Sequence, residues 1–138
     1  INCGLGAERN APEREYLVNF EGLSWATCRF DKDSMFFTYD RYRDFLREIQ
    51  DHKFMICPRG HGMDCHRNWE SLYLRRVPIM LLSPYFTRLM EGFPVLFVDK
   101  WEDVTEELLL KNDHLFEEAK HMDLNKLDLN LIFNTIRC

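Results

Sequence analysis

The stretch Cys57 to Glu70, CPRGHGMDCHRNWE, concentrates the residue types that could hold a phosphate and a sugar. Gly60 and Gly62 flank one residue, and backbone without side chains lets a ligand approach uncovered amide hydrogens. A helix beginning near Asp64 would add partial positive charge at its start, which favours an anion such as phosphate. Arg59 and Arg67 stand on either side, and guanidinium forks match phosphate oxygens. Arg67 and Glu70 are three apart, so on a helix they share a face. A cation for phosphate beside a carboxylate for sugar hydroxyls is the pairing a nucleoside diphosphate needs. The spacing is neither G-x-x-x-x-G-K-[ST] nor G-x-G-x-x-G. The plain alternative is a tight strand-to-helix turn with an Arg67–Glu70 surface pair.

Cys57, His61, Cys65 and His66 invite a zinc reading. Their C-x3-H-x3-C-H spacing is not a structural zinc pattern and no paired C-x2-C accompanies it, so no metal is expected. His61 reads as an exposed loop residue and His66 as a hydrogen-bonding neighbour of phosphate. Trp69 and Tyr73, four apart, are expected to pack against the sheet, and Trp101 to serve the core or its edge, with a place near the nucleotide as the alternative.

The elements that must position this stretch follow from pattern. Strands are expected near Tyr16–Phe20, Met35–Tyr39, Lys53–Cys57, Val77–Leu82 and Pro94–Val98. Val77 to Leu82 is continuously apolar, as in a strand covered on both faces. Asp40 reads as the N-cap of a helix carrying Tyr42, Phe45, Leu46 and Ile49 at helical spacing. Asp64 reads as the cap of a second helix, ending near Arg76. Ser83 to Gly92 suggests a short helix or turn. Thr105 opens a long amphipathic stretch through Met122, and Leu124 to Ile136 continues the rhythm. Strands alternating with helices predict an α/β fold with a mostly parallel sheet, and such sheets bind ligands at the carboxyl ends of their strands. The 138 residues are expected to form one domain, with 1–14 a loose lead-in and 105–138 a C-terminal helical region.

Charge narrows the partners. The net charge is −5, and residues 101–138 hold nine acids against four bases, so the deficit lies in the tail. Lys53 to Arg76 carries five bases against Asp64 and Glu70, which suits a small anion site rather than a nucleic-acid surface. Five cysteines are an odd number, and mostly reduced thiols are expected. No basic-then-apolar leader opens the chain, and Val77 to Leu82 falls far short of the roughly 18 residues of a membrane span. A soluble chain is expected, cytoplasmic or, within a longer enzyme, in the Golgi lumen.

The run KFMICPRGHGMDCHRNWESLYLRRVPIM, followed by SPYFTRLMEGFPVLFVDKWEDVTEELL, resembles the nucleotide-sugar-binding half of exostosin-like glycosyltransferases. That family's pattern is a strand, then Pro-x-Gly-x-Gly-x-Asp-x-His-Arg-x-Trp-Glu, a helix and an Ile-Pro-Ile strand. A Leu-Pro-Val-Leu strand and an acidic Trp-rich segment follow. Pro58, Gly60, Gly62, Asp64, His66, Arg67, Trp69 and Glu70 match it. The match is close over residues 53–110, and its register extends back to Tyr16.

The resemblance implies a Rossmann-like, GT-B donor-binding lobe with C-terminal helices. Its donor-nucleotide site would comprise Arg59, Gly60, His61, Gly62, Asp64, His66, Arg67 and Glu70. Glu70 would meet ribose hydroxyls, and Arg67 with Arg59 the diphosphate. The donor is then a nucleotide-sugar substrate, the acceptor a glycan or other molecule, and no further cofactor is required. A GT-B enzyme uses two lobes, so an acceptor lobe is expected outside these residues and the isolated chain is expected to transfer sugar poorly. The competing class is a non-catalytic nucleotide- or sugar-binding module. Two positions depart from the family pattern: Arg75 stands where glycine closes the helix, and Leu81 where a basic residue is frequent.

Overall fold

A computed structural model describes residues 5–6, 13–28, 30–31, 38–60 and 64–128. The elements are β1 (Leu5–Gly6), α1 (Glu13–Tyr16), β2 (Phe30–Asp31), α2 (Tyr39–Gln50), β3 (Phe54–Ile56), α3 (His66–Tyr73), β4 (Val77–Leu81), α4 (Pro84–Leu89), β5 (Leu96–Val98), α5 (Glu106–Lys111) and α6 (Asp113–His121). Strands β3, β4 and β5 form a parallel sheet in that order, with Phe54 opposite Val77 and Ile79 opposite Leu96. A separate parallel pair joins β1 to β2. The fold is α/β, a parallel sheet flanked by helices.

Alternation along the strands builds two cores, because successive side chains leave opposite faces of a sheet. Phe54, Ile56, Val77, Ile79, Leu96 and Val98 face one way, against Leu17, Phe20, Trp101, Leu109 and Ala119. Met55, Cys57 and Met80 face the other, against Ile49 of α2, Leu72 of α3 and Phe86 and Leu89 of α4. Burial on both faces is why these strands read as unbroken apolar runs rather than alternating ones.

Several sequence expectations are corrected. Tyr16–Phe20 is not a strand: it ends α1 and continues as a 3-10 turn over Leu17–Phe20. Leu17 and Phe20 are buried while Val18 is 51% exposed, the three-residue repeat of a 3-10 turn rather than the two-residue repeat of a strand. Of the strand expected at Met35–Tyr39, residues 35–37 lie outside the described residues and Tyr39 opens α2. Thr38, not Asp40, caps that helix, its Oγ1 accepting from the Arg41 amide at 3.3 Å. Asp40 sits in the first turn, where its charge suits the helix dipole.

The stretch from Thr105 breaks at Asn112 into α5 and α6. Thr105 does cap it, accepting from Leu108 at 3.1 Å. Beyond Leu124 the described chain holds a 3-10 turn, Leu124–Leu127, and residues 129–136 lie outside the described residues. Tyr73 does not pack on the sheet; it is 55% exposed and its hydroxyl donates to the Leu127 carbonyl at 3.3 Å.

Helix α3 stops at Tyr73, three residues short of expectation, and Arg75 turns the chain with φ 58°. That is left-handed backbone, which costs a residue with a Cβ roughly 1–2 kcal/mol. The Arg75 guanidinium offsets it by donating to the carbonyls of Lys120 at 2.8 Å and Met122 at 2.7 Å, at the end of α6. Arg75→Ala keeps the strain and loses both bonds, so it is expected to destabilise by about 1–3 kcal/mol. Arg75→Gly is expected to be about 1 kcal/mol more stable than Arg75→Ala, because glycine removes the strain. Urea unfolding of the two variants measures the difference; equal stability would contradict the strain argument.

Candidate nucleotide-binding site

The carboxyl ends of the three strands converge on a crevice of about 210 Å³. Strand β3 contributes Cys57 and Arg59 beyond its end. Strand β4 contributes Met80 and Leu81, and the segment after it Leu82 and Ser83. Phe86 of α4 and Trp101, three residues after β5, complete the lining. Leu81 adds an apolar wall. Ser83 caps α4, its Oγ accepting from the Phe86 amide at 3.1 Å, and its own hydroxyl hydrogen remains a donor. Trp101 is 4% exposed, and its indole N–H finds no hydrogen-bond partner among the described residues. A buried donor without an acceptor is costly, and a ligand oxygen would relieve it.

Among the described residues of the expected set, Arg59 alone lines this crevice. Its carbonyl accepts from Arg14 Nε at 3.2 Å, which ties the strand exit to α1. Gly60 needs no left-handed backbone, and among the described residues a Cβ there would meet only the Arg14 guanidinium, at an ordinary 3.8 Å. His61 and Gly62 lie outside the described residues.

Asp64 organises the start of α3. Its Oδ1 accepts from the Cys65 amide and from Asn68 Nδ2, both at 2.8 Å, and its Oδ2 accepts from Trp69 Nε1 at 2.8 Å. The helix proper begins after Cys65, which holds the N-cap position, so Asp64, expected as the cap, stands one residue before it and, among the described residues, bonds no helical backbone amide. The start of α3 thus already has a carboxylate of its own, and Asp64, Asn68 and Trp69 form one local frame. Trp69 is half-buried and meets Phe93 edge-on at 6.3 Å. His66, the first helical residue, is exposed.

Arg67 and Glu70 do share a face, and it is the face turned to α2. The Arg67 guanidinium lies 5.9 Å from the centre of the Phe45 ring, and its Nε is buried without a hydrogen-bond partner among the described residues. Glu70 Oε1 accepts from the Tyr42 hydroxyl at 2.8 Å. The two residues do not form a surface pair with each other; each meets a ring of α2 instead. Neither lines the crevice. Cys57 stands between: it lines the crevice, and its thiol feels the charges of both Arg67 and Glu70.

Two protonation equilibria follow. Burial, then the hydrogen bond to Glu70 and its negative charge, push the Tyr42 phenol from its ordinary 10.0 up to about 12. The neutral phenol is the form the fold favours. Its stabilisation is fully present below pH 10, where the unfolded phenol is also neutral, and is lost as pH rises through about 12. Burial, chiefly, and the neighbouring Cys65 push the Cys57 thiol well above its ordinary value. Cys57 is therefore expected to resist maleimide at neutral pH while the protein is folded and to react once it is unfolded, read by mass spectrometry. Rapid labelling of folded Cys57 would contradict this burial.

Cys57 and Cys65 are free thiols. Among the described residues no three His, Cys, Asp or Glu side chains gather as a metal site. No helix among them is long and apolar enough to cross a membrane. The sequence had placed Tyr42 and Phe45 on the apolar face of a helix, which hid their contacts with Glu70 and Arg67. Ser83 carried only a capping signal, and nothing in the sequence marked the unpaired indole N–H of Trp101. No protein-family model matches the chain, and no curated protein matches it.

Proposed function

We propose that this chain is the donor-binding lobe of a glycosyltransferase of the exostosin-like, GT-B kind, holding a nucleoside diphosphate sugar. The observation that carries the proposal is that Arg67 and Glu70, one turn apart on the helix that follows β3, both act through their charge on Cys57, which lines the crevice at the carboxyl edge of the sheet. Open α/β sheets bind their ligands at that edge.

In this reading Arg67, with Arg59, neutralises the diphosphate, and Glu70 accepts from ribose hydroxyls. The Trp101 N–H and the Ser83 hydroxyl offer donors to oxygens of the sugar or phosphate inside the crevice. Asp64 acts by fixing α3, not by touching the ligand. The residues gathered here bind and orient; transfer also needs an acceptor and a group to activate it. The 138 residues alone are therefore expected to bind donor and to transfer little sugar.

Titration calorimetry with uridine and guanosine diphosphates tests the proposal. Saturable binding of at least one, at a single site, is the expected result. No binding of either would overturn it.

A further inference from the structure

Glu70 is anchored at one oxygen only. The Tyr42 hydroxyl donates to Oε1 at 2.8 Å, and Oε2 accepts no hydrogen bond among the described residues. A carboxylate accepts and cannot donate, so the direction of this bond is fixed. Tyr42 itself is held. Its ring stacks on Phe45 at 6.5 Å and 29°, and Phe45 also lies under the Arg67 guanidinium. Both rings come from one turn of α2, whose Ile49 is fixed in the core. One turn of α2 thus supports both members of the pair, although it lies 28 residues upstream of Glu70.

We propose that Tyr42 is a positioning residue that sets ribose selectivity: it pins Glu70 through Oε1 and leaves Oε2 aimed as the acceptor for a ribose hydroxyl. This inference rests on the donor-binding reading above. A glutamate on an exposed helix face samples several rotamers, and each must be given up when a ligand binds. A carboxylate already anchored at one oxygen has surrendered that freedom on folding, so more of the hydroxyl contact appears as affinity. The raised phenol pKa agrees with this geometry, since the bond holds the proton on Tyr42 across the working pH range.

The test is calorimetry of wild type, Tyr42→Phe and Glu70→Gln with three probes: the better-bound of uridine and guanosine diphosphates, its 2′,3′-dideoxy analogue, and inorganic pyrophosphate. Tyr42→Phe removes one oxygen and keeps the ring on Phe45. It is expected to weaken the ribonucleotide about 3- to 10-fold and to leave the dideoxy analogue and pyrophosphate unchanged. A merely structural role would weaken all three alike, and that result would overturn the inference. If Glu70→Gln loses ribose selectivity while Tyr42→Phe keeps it, the inference fails and donor binding stands. If wild type binds no nucleotide, both fail. Ultraviolet titration of the phenols supplies a second check: a tyrosine titrating near 12 in wild type should be missing from Tyr42→Phe. A high-titrating phenol that survives in Tyr42→Phe would assign the shift to another tyrosine and count against the inference.

Discussion

Arg67→Ala is expected to weaken nucleoside diphosphate binding by about 10- to 150-fold, the loss of one charge-assisted contact worth about 1.5–3 kcal/mol. Stability should change far less. The Arg67 Nε is already buried without a partner among the described residues, so truncation removes an unsatisfied donor as well as the contact with Phe45. A cation over an aromatic ring at a partly exposed site is worth about 0.5–1 kcal/mol, which the lost penalty offsets. Affinity and stability therefore separate in this variant. Glu70→Ala should behave differently again, weakening the nucleoside diphosphate and sparing inorganic pyrophosphate. Calorimetry on the two variants, with urea unfolding alongside, reads both quantities. Unchanged affinity in both would contradict the roles assigned here.

Asp64→Ala should do the reverse, damaging the fold first. Its carboxylate satisfies three donors, and one belongs to Asn68, which is 1% exposed. Removing the acceptor strands the Asn68 amide in the core at about 1–3 kcal/mol, and losing the bond to the Cys65 amide adds roughly 1 kcal/mol, as for a lost hydrogen bond. Trp69 is half-buried, so water can take up its N–H at less expense. The expected total is about 2–4 kcal/mol, a large share of the roughly 5–15 kcal/mol that holds a domain together. Asp64→Asn keeps one acceptor oxygen and should lose about half as much. Urea midpoints measure both; a loss under about 0.5 kcal/mol in Asp64→Ala would show that the frame at the start of α3 is not structural.

The contrast between these residues shows what was legible in the sequence. The three strands of the main sheet were readable because each is a short apolar run covered on both faces. The shared face of Arg67 and Glu70 followed from helical spacing alone. Tyr16–Phe20 misled because β-prone residue types outweighed the spacing of Leu17 and Phe20, and burial against the sheet decided for a 3-10 turn. Thr38 and Asp40 are both competent caps, and only the backbone distinguishes them. Asp64 read as the cap of α3, but Cys65 holds that position, and the bonds of Asp64 to Asn68 and Trp69 were not readable. The strand ends were expected to hold the ligand, but most of the crevice lining was not legible. Cys57, Ser83 and Trp101 meet only because three strands run parallel and end on one edge. Arg75 was legible as a departure from glycine, and the positive φ is its physical content.

Backbone amide chemical shifts, followed while the 138-residue chain is titrated with uridine or guanosine diphosphate, test the central claim most directly. Saturable shifts should concentrate in residues 57–70 on the strand exit and α3, and in 81–83 and 101 around the crevice, with Tyr42 following Glu70. Shifts confined to other surfaces, or no saturable shift with either nucleotide, would contradict a donor site at the carboxyl edge of the sheet.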